Sequence, residues 1–277
     1  MSESQRVREA EKRTSRADGT PDDYLYEAAI YDTLWAELNE LDLPFLLARA
    51  EKFGGPLLEL ACGTGRVLLP CAAKVERAVG IDRSPSMLKE ARANLKAAGI
   101  DEERVDLVEG DLRTFELGQR FPLILAGGQP MFHLPTDDDW LATLQTVRRH
   151  LAPGGTFVAG VPVFTEEDIR NYDRRYLFSG EVRHPETNRR IAMWDFSTFD
   201  TDKQTITRRR VSEVLDEEGV VLERQHGLRV NFYRFPDQIR ALLNRAGFRI
   251  TREFGAYDES PYSTDSEYFI WEVTAED

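Results

Sequence analysis

Apolar positions change their period three times along the chain. Between residues 20 and 53 they recur at helical spacing. Thr20-Pro21-Asp22-Asp23 offers a capping hydroxyl, a proline in the first turn and acids at the positive end of a helix dipole. Tyr24, Tyr26, Ile30, Tyr31, Leu34 and Trp35 follow as the apolar face. A second helix is expected from Leu43 to Phe53, stopped by Gly54-Gly55. Short apolar runs then alternate with amphipathic stretches. They predict strands at 56–60, 78–81, 105–108, 123–126 and 156–161, and helices at 66–73, 85–98 and 137–151. Ser84-Pro85 and Thr136-Asp137 are helix starts, and Pro153-Gly154-Gly155 is a turn.

From about 178 to 232 the period falls to two. Strands are expected at 190–199, 204–215 and 220–232, separated by Asp200-Thr201-Asp202-Lys203 and Asp216-Glu217-Glu218-Gly219. This reads as an antiparallel meander. Its apolar positions Ile191, Met193, Phe196, Val211 and Val214 need a covering surface, expected to be the edge of the main sheet. A helix at 236–246 and strands at 248–254 and 267–273 complete the pattern. The expected fold class is α/β: a Rossmann-like, mostly parallel sheet with helices on both faces, plus an antiparallel β insert after strand five. The expected domains are a charged, disordered arm at 1–19 and one domain over 20–277 that includes the insert at 178–232.

With 277 residues, 41% of them hydrophobic, the chain can bury one sizeable core. No apolar run approaches a membrane span, and residues 1–16 are charged, so neither a signal peptide nor a transmembrane helix is expected. Cys62 and Cys71 are too few for a disulfide framework or a zinc cluster, which points to the cytoplasm. A net charge of −13 repels polyphosphate backbones and anionic membranes, which disfavours a nucleic-acid partner.

The candidate chemistry starts at Leu57-Leu58-Glu59-Leu60-Ala61-Cys62-Gly63-Thr64-Gly65-Arg66, an apolar strand that enters a glycine turn and opens a helix. Gly63 and Gly65 let a ligand approach the backbone closely. A dinucleotide would rest its pyrophosphate on the helix N-terminus and use a third glycine, where this chain has Leu68. Glu59 would repel that pyrophosphate. It suits S-adenosylmethionine, which carries a sulfonium and an ammonium and no phosphate. Asp82, ending the second strand, can accept hydrogen bonds from ribose hydroxyls. After the third strand, Asp111 can accept from an adenine amino group, while the Leu112 N–H donates to a ring nitrogen. Three acidic strand ends with the glycine turn form a specific pattern.

These segments resemble class I S-adenosylmethionine-dependent methyltransferases. The matching pieces are Glu59-Leu60-Ala61-Cys62-Gly63-Thr64-Gly65, Gly80-Ile81-Asp82-Arg83-Ser84-Pro85-Ser86-Met87-Leu88, Gly110-Asp111-Leu112, Leu151-Ala152-Pro153-Gly154-Gly155 and Ala246-Gly247-Phe248. The chain is most similar to small bacterial glycine and amino-sugar N-methyltransferases. The resemblance implies a seven-stranded sheet whose last strand is antiparallel, and an insert that covers the substrate. It also implies that Met87 packs on the adenine, that Arg83 and the Ala61 backbone border the cofactor, and that Ala126-Gly127 faces the transferable methyl. Cys62 would contribute only backbone.

The fourth strand leads into Gln129-Pro130-Met131-Phe132-His133. It lacks the Asn/Asp-Pro-Pro-aromatic run of base-methylating enzymes, the Pro-Cys nucleophile of cytosine enzymes and the acid of metal-dependent catechol enzymes. A metal-free transfer to a small-molecule acceptor is therefore expected. His133 is either a general base or a histidine that contacts the adenosine or simply packs. Tyr24, Tyr26, Tyr31 and Trp35 are either a lid over the sulfonium or ordinary helix packing, with Tyr31 the first choice for site contact. Asp137, Asp138 and Asp139 suit a helix first turn better than a metal. Arg208, Arg209 and Arg210 alternate faces, so at most two can meet a substrate, and a solvated face is expected. Trp194, Phe196 and Tyr233 either wall a pocket or fasten the insert, and a homodimer surface is the alternative use of the meander. Two further functions remain open: a nicotinamide-dependent oxidoreductase and a non-catalytic S-adenosylmethionine-binding protein.

Overall fold

The computed structural model describes Tyr24 and residues 27–276. The arm at 1–19, the helix start at Thr20-Pro21-Asp22-Asp23 and Tyr26 lie outside the described residues. The chain forms two units, one of residues up to Ala36 with Phe164–Asn231, the other of Glu37–Val163 with Phe232–Asp277. In chain order the helices are α1 (Tyr31–Leu34), α2 (Leu38–Leu41), α3 (Leu43–Phe53), α4 (Leu68–Ala72), α5 (Pro85–Ala97), α6 (Asp137–His150), α7 (Glu166–Tyr172) and α8 (Pro236–Arg245). The strands are β1 (Leu57–Leu60), β2 (Ala78–Asp82), β3 (Val105–Glu109), β4 (Phe121–Ala126), β5 (Leu151–Pro162), β6 (Tyr176–Arg183), β7 (Arg190–Asp200), β8 (Thr205–Leu215), β9 (Val221–Phe232), β10 (Phe248–Phe254) and β11 (Tyr268–Ala275). Among the described residues no helix is long and apolar enough to cross a membrane.

The larger unit is built on a seven-stranded sheet in the order β10-β11-β5-β4-β1-β2-β3. Strand β11 runs antiparallel to both its neighbours, β5 and β10, and the pairs among β1 to β5 are parallel. Every residue of β1 and β2 is buried, as expected for parallel strands covered on both faces. Alternation sends Leu58, Leu60, Val79, Ile81 and Ile124 into a core shared with Trp140 and Leu144 of α6 and Ile239 and Leu243 of α8. Leu57, Ala78, Leu123 and Leu125 face the other way, onto Phe45 and Ala50 of α3 and Leu88 and Leu95 of α5. From β1 the chain runs outward to β3, then returns to place β4 on the other side of β1. The β1–β4 boundary is thus the point where strand order reverses, and the crevice beyond the carboxyl ends there is where ligands of such sheets bind.

Residues 152–155 fall inside the span of β5, but Gly154 takes φ +72° at the expected turn and the register with β4 jumps from Phe121↔Leu151 to Leu123↔Thr156. Thr136 caps α6 in a capping box with Asp139.

The smaller unit is a four-stranded sheet in the order β6-β7-β8-β9, with β6–β7 and β7–β8 antiparallel. Two of its elements, α7 and β6, go beyond the expected meander. Helix α7 has no buried residue and so prints no apolar stripe, though Thr165 and Asp168 close a capping box at its start. The expected long helix around Ile30 and Trp35 is instead a 3₁₀ turn at Ala28–Ile30 followed by the single-turn α1. Within this unit Ile191 and Met193 pack on Ile30, with Leu34, Val182 and Val214 alongside.

Candidate active site

The glycine turn after β1 is held by its neighbours. The Gly63 N–H donates to Asp82 Oδ2 at 2.9 Å, and the Ser84 N–H donates to Asp82 Oδ1 at 2.8 Å. One carboxylate therefore ties the β1 turn to the start of α5, where Ser84 Oγ caps the helix by accepting from the Met87 N–H. Ala61, Gly63 and Gly65 have φ of +50°, +55° and +84°, so three nearby residues adopt the left-handed conformation that glycine tolerates best. A Cβ on Gly63 would meet only Met87 Cε, at 3.4 Å. The turn therefore leaves open space with Met87 as its wall. The Asn94 amide fixes the turn's far side by donating to the Thr64 carbonyl at 3.1 Å.

Glu59 lies beneath this turn and is only 2% exposed. Its Oε2 is buried without a hydrogen-bond partner. A Cβ at Gly127, just past β4, would sit 3.0 Å from Glu59 Oε1, so the β4 end approaches this carboxylate closely. Ala126 is buried, and Gln129 takes φ +63° as it opens the 3₁₀ turn Pro130–His133. Met131 and Phe132 of that turn point into protein, whereas His133 is exposed. After β3, both Asp111 oxygens accept from the Arg113 guanidinium, at 2.9 and 2.6 Å, and Arg113 also reaches Asp139 at 2.7 Å. The Arg113 hydrogen bonds hold the Asp111 carboxyl below its ordinary range. Leu112 is half-buried and Arg83 is exposed.

A methyltransferase domain model matches residues 57–155, the stretch that contains β1 to β4 and their strand-end residues. The carboxy-S-adenosyl-L-methionine synthase of Wolinella succinogenes is 33% identical over 178 residues, covering 62% of this chain and 70% of that protein. The chain belongs to the S-adenosylmethionine-dependent methyltransferase family. The dTDP-3-amino-3,4,6-trideoxy-alpha-D-glucopyranose N,N-dimethyltransferase of Streptomyces venezuelae is 32% identical over 102 residues, 37% of this chain and 40% of that one. The methyltransferase thus spans well under two thirds of that sugar-modifying relative. A solved S-adenosylmethionine-dependent methyltransferase from Clostridium acetobutylicum shares the fold with TM-score 0.76 at 18% identity, over 92% of this chain and 99% of that one. The CcbJ methyltransferase of Streptomyces caelestis does so with TM-score 0.69 at 24% identity, over 91% and 100%.

The methyltransferase's turn fits a cationic cofactor. Burial pushes the Glu59 carboxyl well above its ordinary value. Arg66 opposes that shift, while Asp42 and Asp82 add to it. Arg66 is already committed, donating to both Asp42 oxygens at 2.7 Å. One guanidinium and two further carboxylates therefore act on Glu59, the deepest carboxylate, which keeps an unpaired oxygen. Such a site is short of positive charge and hostile to a pyrophosphate. Leu68 is fully buried where a dinucleotide site would use a glycine. Burial raises the Cys62 thiol well above its ordinary value, with Glu59 and Asp82 adding to the effect, so Cys62 is an inert thiol rather than a nucleophile.

The smaller unit of the methyltransferase holds a cavity of about 300 Å³, lined by Trp35, Tyr172 and Phe178 and by the alternate β7 residues Met193, Asp195 and Ser197. Trp194, between two of these residues, is 37% exposed and packs on the lining residue Phe178 with ring centroids 5.0 Å apart. Phe196 rests on Tyr176 at 5.1 Å, and Tyr233, 3% exposed, belongs to the larger unit. Tyr31 sits in a row of rings, 5.8 Å from Tyr24 and 6.4 Å from Trp35. Its neighbours Leu34 and Trp35 are the ones that line the cavity. Arg208 and Arg210 also line it, whereas Arg209 is exposed. The solvated arginine face expected from the sequence is thus limited to Arg209. Arg210 is 7% exposed and donates to Asp195 at 3.0 and 2.7 Å. Sequence reasoning misses Asp195 and Ser179. Only the two-residue period linking Met193, Asp195 and Ser197 marks their shared face.

Proposed function

We propose that this methyltransferase transfers a methyl group to a nitrogen or oxygen of a small metabolite. The observation that carries the reading is the buried, unpaired oxygen of Glu59 beneath an open glycine turn. S-adenosylmethionine would supply an electrophilic methyl on a sulfonium. Glu59 is the counter-charge for its ammonium, Asp82 and the Gly63 and Gly65 backbone hold its ribose and methionine portions, and Met87 backs the adenosine. Asp111, Leu112 and Arg83 border the adenine, Ala61 contributes backbone, and Ala126 and Gly127 face the reacting methyl.

Bound S-adenosylmethionine would give its methyl to an acceptor lone pair and leave as the neutral thioether, and the acceptor proton would pass to a base. His133, exposed just past β4, is our candidate for that base. Positioning and exclusion of water supply most of the acceleration, since such a displacement needs little acid–base help. The cavity of the smaller unit is our candidate for acceptor recognition, with Tyr31 supporting it through Trp35. The sugar N,N-dimethyltransferases among the relatives support a small-molecule acceptor, and the charge of −13 argues against nucleic acid. Two buried free thiols suit the cytoplasm.

Methyl-labelled donor incubated with amines, hydroxy acids and amino sugars tests the reading. Labelled product with at least one class is expected. Tight donor binding without transfer to any class would instead favour a non-catalytic S-adenosylmethionine-binding protein.

A further inference from the structure

The cavity of the smaller unit has an unbalanced charge. Five ionised groups bear on it or border it: Arg208, Arg210 and Arg229 are positive, and Asp195 and Glu27 are negative. Two pairs form among them. Arg210 takes both Asp195 oxygens, and Ser179 Oγ adds a hydrogen bond to Asp195 Oδ2 at 2.6 Å. Arg229 donates to Glu27, which also stands 3.7 Å from Arg210 Nη1. Arg208 is left over. Among the described residues its guanidinium has neither an ion pair nor a hydrogen bond, although it is partly buried in the cavity lining. Burial depresses its pKa, and the neighbouring Arg210 and Arg229 add to this against the pull of Asp195 and Glu27. An arginine stays charged under such a shift.

The buried polar atoms of the lining that lack partners are of one kind: Arg210 Nη1 and Trp35 Nε1 have no hydrogen-bond partner, and both are donors. The side-chain acceptors of Asp195 are already engaged. Much of the remaining wall is apolar and partly flat, with Trp35, Leu177, Phe178 and Met193, beside the hydroxyls of Tyr172 and Ser197. The volume, about 300 Å³, is at the lower end of the ~300–1,000 Å³ range of small-molecule sites. It suits a single ring with one charged substituent rather than a nucleotide-linked sugar.

We infer that Arg208 anchors the anionic group, a carboxylate or a phosphate monoester, of a small ring-bearing acceptor seated in this cavity. The acceptor role rests on the methyl-transfer reading above, whereas the anion site itself does not. Arg208 is a specificity residue here. Its planar guanidinium offers the paired donors that a carboxylate or phosphate oxygen pair accepts, and the aromatic and aliphatic wall covers the ring.

The test is direct binding to the full-length protein by calorimetry, with benzoate, phenyl phosphate and the neutral benzamide as probes. At least one anion is expected to bind on the order of tenfold or more tighter than benzamide. Whichever anion wins identifies the oxyanion. Arg208→Met should abolish the preference, and Arg208→Lys should restore part of it. Removing an unpaired, partly buried charge should leave the melting temperature of Arg208→Met unchanged or raised. A purely structural arginine would lower it. Equal binding of all three probes, or an anion preference that survives in Arg208→Met, overturns the inference. Transfer of label to an anionic ring-bearing acceptor at an unchanged rate in Arg208→Met also overturns it, while leaving the methyltransferase reading intact. Arg208-dependent anion binding without transfer to any acceptor supports the anion site and sinks the acceptor role instead.

Discussion

Glu59→Gln isolates the charge of the buried carboxylate at almost constant shape. The side chain is 2% exposed and Oε2 has no partner, so within the protein only the charge of Arg66 and the Leu68 backbone N–H oppose its desolvation. A cationic group seated against it would gain a charge-assisted hydrogen bond worth about 1.5–3 kcal/mol. Losing it should weaken S-adenosylmethionine binding roughly 10- to 150-fold. The raised folded pKa adds a pH signature. Above the ordinary value of 4.5 and below the folded value, the free protein holds a proton on Glu59 that the cation must displace. Donor affinity should therefore climb with pH through that window and flatten above it, with proton release on binding. Stability moves the other way. The folded chain retains a proton that the unfolded chain has lost, so the contribution of Glu59 to stability declines as pH rises from 4.5 towards the folded pKa. The Glu59→Gln protein should show neither slope. Calorimetry in two buffers of different ionisation enthalpy measures the released proton. A Glu59→Gln protein that binds the donor within twofold of the parent, or that releases the same proton, would refute the reasoning.

Gly63→Val puts a branched side chain at φ +55° and fills the gap in front of Met87, so donor binding should vanish at a backbone cost of about 1–2 kcal/mol; unchanged affinity for S-adenosylhomocysteine in equilibrium dialysis would contradict this. Asp82→Ala leaves the Gly63 and Ser84 N–H groups without their acceptor and should weaken donor affinity by about 1–3 kcal/mol, read by calorimetry on a variant that keeps its circular dichroism. Arg49, 4% exposed, donates to Glu272 at 2.9 Å and Glu259 at 2.6 Å and stacks on Phe45 at 3.5 Å; Arg49→Met strands the buried Glu272 and should cost about 3–5 kcal/mol in urea denaturation, with most of the loss recovered by adding Glu272→Leu.

The parallel sheet is legible in the sequence because its signals are local. Central strands covered on both faces print short apolar runs, and Ser84 and Thr136 announce the helices that follow. The residues around the glycine turn are legible for the same reason, since Glu59, Gly63 and Asp82 are fixed by strand ends close in sequence. What escapes depends on long-range packing. The segment at 27–36 reads as one amphipathic helix, yet its apolar residues are taken by β7, some 160 positions away, and it is broken into short turns. Helix α7 buries nothing and so leaves no stripe. Asp111 carries the expected acidic strand end, but sequence does not reveal that Arg113 claims both its oxygens. Arg210 of β8 reads as surface because the carboxylates that pair with it, Asp195 and Glu27, come from other elements.

The pairing of Ile30 with Ile191 and Met193 also sets a schedule for synthesis. Ile30 leaves the ribosome roughly 160 residues ahead of its partners, an interval of about ten to thirty seconds at ~5–20 residues per second. Through that interval its apolar side chain has no native surface to join. The nascent chain must complete β1 to β5 before the small core can close, so this early segment is the natural client for a chaperone. Slowing translation within the codons for β6 and β7 would lengthen its exposure, without altering any contact in the finished protein.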